Sequence, residues 1–204
     1  MIHSQDKVSE YHNFFLYILQ IIVQSTLMNK EQYKGYEIVL EQDSDPMNPR
    51  QEFDNFGTML CMHRNYSLGD DSKAGREEIR EYLEGRKDDV AISLPLYLYD
   101  HSGITMNTTG FSCPWDSGIV GTIFVNKEKV RECYGVKRIT KKVVERAKND
   151  LRNEVRVYDD YISGNVYGFY IKKDDEIMES CFGFYGDDGL QEARRQAMST
   201  IDSW

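Results

Sequence analysis

Four residues of the types that hold tetrahedral zinc, Cys61, His63, His101 and Cys113, stand in two short segments of the chain. Thiolate sulfur and imidazole nitrogen are the ligands zinc prefers, and four of them close a structural site. The spacing is not that of a zinc ribbon: C-x-H is followed far downstream by H-x11-C, without short paired spacings, so a strand-borne pair would have to converge with a distant loop. The same residues support a second chemistry. Cys113 could serve as a nucleophile with His101 as base and Asp100 or Asp116 orienting it, an arrangement recognised by geometry rather than by order in the chain. Against both stands the plainer reading of two cysteines as small buried apolar residues and two histidines as hydrogen-bonded neighbours. Neither a G-x-S-x-G elbow nor a glycine-rich phosphate cradle opening a helix is present.

A third use of the same stretch is recognition. Trp115, Phe111 and Pro114 lie in a segment rich in Ser, Thr, Asn and Gly, which is the composition of an aromatic anchor with adaptable polar surroundings. The acidic residues Asp70, Asp71 and Asp116 would complement a basic partner. The competing expectation is that Trp115 plugs the core and Asp116-Ser117-Gly118 is a turn.

Charge narrows the partners. The 204 residues carry a formal net charge of −9, which opposes a uniformly nucleic-acid-seeking surface. The distribution is uneven. Residues 126 to 156 hold eleven Lys/Arg against five Asp/Glu, a local +6 that leaves −15 for the rest of the chain. Lys137, Arg138, Lys141, Lys142 and Arg146 could therefore contact phosphates directly, although a long helix of mixed charge is more often a solvated face.

The elements that must position these residues follow from periodicity. Residues 36 to 41 (YEIVLE) predict a strand, ended by a run with two prolines. Residues 57 to 66 predict a second, with Met59, Cys61 and His63 on one face. A short peripheral helix is expected over 76 to 83. Residues 91 to 99 and 119 to 125 are nearly continuous apolar runs, hence interior strands covered on both faces, with Pro95 implying a bulge or an edge. Asn126 is the expected cap of a short helix that Gly135 ends. Thr140 opens the longest helix, with Ile139 and Val144 as a hydrophobic staple and Val144, Ala147, Leu151, Val155, Tyr158 and Ile162 on its packed side. A hairpin over 166 to 185 and a final helix from about Leu190, capped by Asp187 or Asp188, complete the chain.

These elements predict an α+β fold: a single, mainly antiparallel sheet flanked by the long helix, a C-terminal helix and an N-terminal apolar helix. The expected organisation is an N-terminal helical extension over 1–28 and one α+β domain over 29–204. Residues 14 to 28 are eleven apolar out of fifteen, which is short for a span of about twenty residues, and they are not preceded by a basic segment. No membrane partner is expected, and an exposed apolar helix there would favour a homo-oligomer. Four cysteines without a CxxC pair point to reduced thiols and a cytoplasmic protein.

The segments DNFGTMLCMHRNYSLGD (54 to 70), LPLYLYDHSGITMNTTGFSCPWDSGIVG (94 to 121) and LRNEVRVYDDYISGNVYGF (151 to 169) resemble small, mostly uncharacterised proteins encoded by bacteriophages and mobile elements. The resemblance covers roughly 28 to 185. It implies context rather than activity and transfers no catalytic residue. The expectation it adds is a non-catalytic accessory protein that binds and inhibits a host defence complex, of anti-CRISPR or anti-restriction type, in the host cytoplasm. Its partner would be a host protein or nucleoprotein complex, met by an acidic body. The alternative from the residues alone is a zinc-binding or Cys/His-dependent enzyme centred on His101 and Cys113.

Overall fold

The computed structural model describes residues 30–70 and 75–204. Two compact units emerge. One joins the described residues up to Ser44 with Tyr167–Trp204; the other is Asp45–Val166. The expected N-terminal apolar helix, and any oligomer contact through it, lies outside the described residues.

In the first unit, β1 (Lys30–Tyr33) and β2 (Tyr36–Gln42) form a hairpin, and β7 (Val166–Lys173) and β8 (Glu176–Tyr185) another. The second hairpin turns on Asp174 and Asp175, both at positive φ (51° and 66°), as a two-residue loop matched to strand twist requires. Strands β2 and β7 join the hairpins antiparallel, Ile38 opposite Ile171 and Leu40 opposite Phe169, giving the order β1-β2-β7-β8. The C-terminal helix α5 (Gly186–Asp202) covers one face with Ala193, Ala197 and Ile201, which meet Ile38, Phe169 and Ile171. The helix starts at Gly186, so Asp187 and Asp188 lie in its first turn and Tyr185 takes the cap position. Both carboxylates still face the positive end of the helix dipole.

The second unit holds its own sheet, of order β3-β6-β4-β5. Its strands are β3 (Thr58–Cys61), β4 (Val90–Asp100), β5 (Ile104–Asn107) and β6 (Ser117–Asn126); its helices are α1 (Pro49–Glu52), α2 (Arg76–Leu83), α3 (Lys127–Tyr134) and α4 (Lys141–Ile162). As the apolar runs imply, β4 and β6 are the interior strands. Helix α4 packs Ala147, Leu151, Val155 and Tyr158 against Met59, Leu96, Leu98, Met106 and Ile123 on one face. On the other, α2 brings Ile79, Tyr82 and Leu83 to Leu60 and Phe124. The α2 helix is thus the second cover of the sheet. The Pro95 expectation of irregularity is met one residue on: between Leu96 and Tyr97 the register slips, leaving Val120 of β6 as an extra residue.

The fold is α+β, but the single sheet expected from sequence is two antiparallel sheets. Strand periodicity tells which residues alternate and nothing about which strand pairs with which. Here β2 pairs with β7, some 130 residues away in sequence, so residues 30–42 and 166–185 build one sheet while residues between them build another.

Two further local expectations are corrected. Asn126 occupies the N-cap position of α3, yet its side chain makes no capping bond and its Oδ1 is buried with no partner among the described residues. Thr140 does cap α4, its hydroxyl accepting from the Val143 amide. The strand expected over 57 to 66 ends at Cys61, which removes the alternation that would have set His63 beside Cys61.

Candidate functional site

The loop from Thr108 to Asp116 connects β5 to β6 at the end of the sheet where β4 finishes. Its base is pinned. Asn107 Oδ1 accepts from the amides of Thr109 (3.0 Å) and Gly110 (2.7 Å), while its Nδ2 donates to the Gly110 carbonyl. Ser117 Oγ donates to the Cys113 carbonyl, and the Asp100 amide donates to the Asp116 carbonyl at 2.8 Å. Phe111 lies against Tyr99, with ring centroids 5.6 Å apart. On this fixed base Trp115 projects with 91% of its surface exposed. The expectation that Trp115 plugs the core is therefore overturned.

Asp116, next to Trp115 in the chain, meets Asp100 and His101 across the strand end. Asp116 Oδ2 is 3.5 Å from His101 Nδ1 and 3.5 Å from Cys113 Sγ. The carboxylate thus sits between imidazole and thiol, an order different from the acid–base–nucleophile relay that Cys113 and His101 would need, in which the base touches the nucleophile. Tyr66 donates to Asp100 Oδ1 at 3.3 Å and stacks on His63, with centroids 4.9 Å apart. The charge of Asp100 raises the pKa of the Tyr66 phenol. His63 and the end of β4 at Asp100 are thus linked through a tyrosine that carried no signal in the sequence.

The zinc set does not come together. Cys61 is fully buried beneath Met59 and Gly69, and burial, with the Asp70 carboxylate next, pushes its thiol up to about 12. His63 stands outside the strand with Nδ1 accepting from the Asn65 amide. Among the described residues no group of three or more His, Cys, Asp or Glu is arranged to hold a metal ion. No three of Cys61, His63, His101 and Cys113 are thus gathered around one point.

Asp70, expected at a partner surface, is exposed, but its carboxylate is held within the chain. Both its oxygens bind Arg50, at 2.6 Å (Nε) and 2.8 Å (Nη2), and Oδ2 also accepts from the Met59 amide. The Arg50 guanidinium, whose side chain is 1% exposed, further donates to Glu154, Asn55 and the Gly57 carbonyl, so all five N–H groups are used. Burial alone would lower its pKa; the facing Asp70 and Glu154 outweigh that and raise it. Glu154 in turn accepts from the amides of Phe56 and Gly57. This cluster ties α1, β3 and the 68-to-70 turn to α4. Gly69 in that turn has φ +72° and no room for a Cβ, which would lie 2.7 Å from the Met59 carbonyl oxygen. Asp71 lies outside the described residues.

One surface residue escaped the sequence reading. Ile119, inside an apolar run expected to be interior, is 55% exposed, because β6 is still at its open end there. It borders a cleft of about 370 Å³ whose other walls include Met62, Ile79, Leu83 and Arg76. The basic residues Lys137, Arg138, Lys141, Lys142 and Arg146 are all exposed, at the turn before α4 and in its first turns. Among the described residues no helix is long and apolar enough to cross a membrane. Comparison with known proteins finds no matching family model, no matching curated protein and no matching solved structure.

Proposed function

We propose that this chain is a non-catalytic binding protein that docks a basic protein surface onto the Trp115 loop, and that its role is that of a phage or mobile-element accessory factor inhibiting a host defence complex of CRISPR or restriction type. The biological context rests on the sequence resemblance. The observation that carries the binding mode is a 91% exposed tryptophan on a loop fixed at its base. An exposed indole does nothing for the fold, since its apolar area stays in water, and soluble proteins rarely leave so large a side chain uncovered without a partner. A loop already held in one shape loses little freedom on association, which favours affinity.

Asp116, next to Trp115 in the chain, and Asp100, whose amide donates to the Asp116 carbonyl, would supply negative charge to steer a Lys/Arg-rich surface. The cleft beside Ile119 could receive an aliphatic side chain of the same partner. The test is phage plating on bacteria carrying a CRISPR or restriction system, with the protein expressed in trans. Wild type should restore plating and Trp115→Ala should not, at equal abundance. Equal protection by both proteins would remove Trp115 from the account.

A further inference from the structure

Outside the Trp115 loop, the described residues concentrate positive charge at the turn before α4 and in its first turns. Several cations of the described residues find carboxylates: Lys30 pairs with Glu37, Lys34 with Asp202, Lys87 with Glu81 and Arg194 with Glu31. With 34 acidic residues against 25 basic ones, such partners are plentiful. Yet Lys137, Arg138, Lys141 and Lys142 are exposed and have no ion-pair partner among the described residues. Arg146 is held nearby with its guanidinium carbon 4.7 Å from the Tyr134 ring centre, so its N–H groups stay available. Five cations thus fall within ten residues of chain, and Lys142 and Arg146 are one helical turn apart, about 6 Å.

This placement works against the fold. Lys141 and Lys142 are the first two residues of α4, and that helix has no acidic residue in its first turn, whereas α2, α3 and α5 each do. Cations at the positive end of a helix dipole destabilise it, and mutual repulsion adds to that. A cluster kept at the expense of stability is what a binding surface looks like.

We infer that Lys137, Arg138, Lys141, Lys142 and Arg146 form a docking surface for the phosphate backbone of nucleic acid. The five named residues are all cations, with no exposed large apolar side chain between them. Such a set matches repeated phosphates and carries no reader for base edges, so binding is independent of sequence. The acidic remainder of the chain opposes wrapping and confines contact to this patch. The inference is independent of the Trp115 reading and survives its failure.

The experiment uses the full chain and fluorescein-labelled 30-mers, duplex DNA and single-stranded RNA, titrated by anisotropy from 50 to 200 mM salt. If about four phosphates are neutralised on duplex DNA, affinity should fall roughly 150-fold over that range. Lys141→Glu with Lys142→Glu should abolish binding while improving the helix end, so a lost fold cannot explain the loss. The matched pair Lys172→Glu with Lys173→Glu, making the same change in net charge in the other unit, should bind as wild type. Equal loss in both pairs, no binding of either nucleic acid at 50 mM salt, or binding only to vesicles containing phosphatidylserine would each overturn the inference.

Discussion

Replacing Arg50 with methionine removes the buried positive charge that faces Asp70 and Glu154. The guanidinium is 1% exposed, and the Asp70 and Glu154 side chains are 28% and 17% exposed, so water offers little replacement. Five hydrogen bonds disappear together, and the Gly57 carbonyl loses its Arg50 donor. Breaking a buried ion pair by deleting one member costs about 3–5 kcal/mol, a large share of the 5–15 kcal/mol that roughly holds a domain together. With a urea slope of about 2 kcal/mol/M, the midpoint should drop by roughly 2 M. Arg50→Lys keeps the charge but not the fork, and about 1–3 kcal/mol of the loss should remain. Adding Asp70→Asn and Glu154→Gln to Arg50→Met should recover stability relative to the single variant, because no uncompensated charge is left. Urea unfolding followed by circular dichroism measures all three. A cost below about 1 kcal/mol for Arg50→Met, the range of an exposed pair, would refute the reasoning.

Alkylation of the native protein at pH 8 should label the exposed Cys133 and leave Cys61 untouched, since a thiol raised to about 12 is ionised only to roughly one part in ten thousand there; mass spectrometry of labelled peptides reads this, and rapid labelling of Cys61 before unfolding would contradict its burial. Gly121→Ala should cost about 3 kcal/mol or more, because the new Cβ would stand 2.1 Å from the Leu60 carbonyl oxygen and backbone cannot step aside. Gly118→Ala, with nothing within 4 Å, should stay within about 0.5 kcal/mol of wild type; equal midpoints for the two variants would mean β3 and β6 do not approach as closely as described.

Local patterns were legible in the sequence and pairings were not. The α4 stripe of Ala147, Leu151, Val155 and Tyr158 and its Thr140 cap could be read from spacing, because a helix closes its hydrogen bonds within the segment. The interior position of β4 and β6 followed from their unbroken apolar runs. The union of β2 with β7 had no local signature, and neither did β5, a four-residue strand hidden in what reads as a turn. The candidate site divided along the same line. Residue types nominated Trp115, Asp116 and His101, of which Asp116 meets His101, but ligand type also nominated Cys61, which is buried, and charge nominated Asp70, whose carboxylate is held by Arg50. Arg50 itself was invisible, since its partners sit 20 and 104 residues away. Tyr66 escaped for the same reason, joining His63 to Asp100 across 34 residues.

The most direct test of recognition through the Trp115 loop is phage plating efficiency with Trp115→Ala beside its thermal unfolding. Truncating an indole that is 91% exposed should leave the unfolding temperature within about a degree, as expected for a surface change. Loss of a central aromatic anchor should weaken partner binding by at least about 2 kcal/mol, some 30-fold, and abolish protection of the phage. Undiminished protection by a stably folded Trp115→Ala protein would contradict the account.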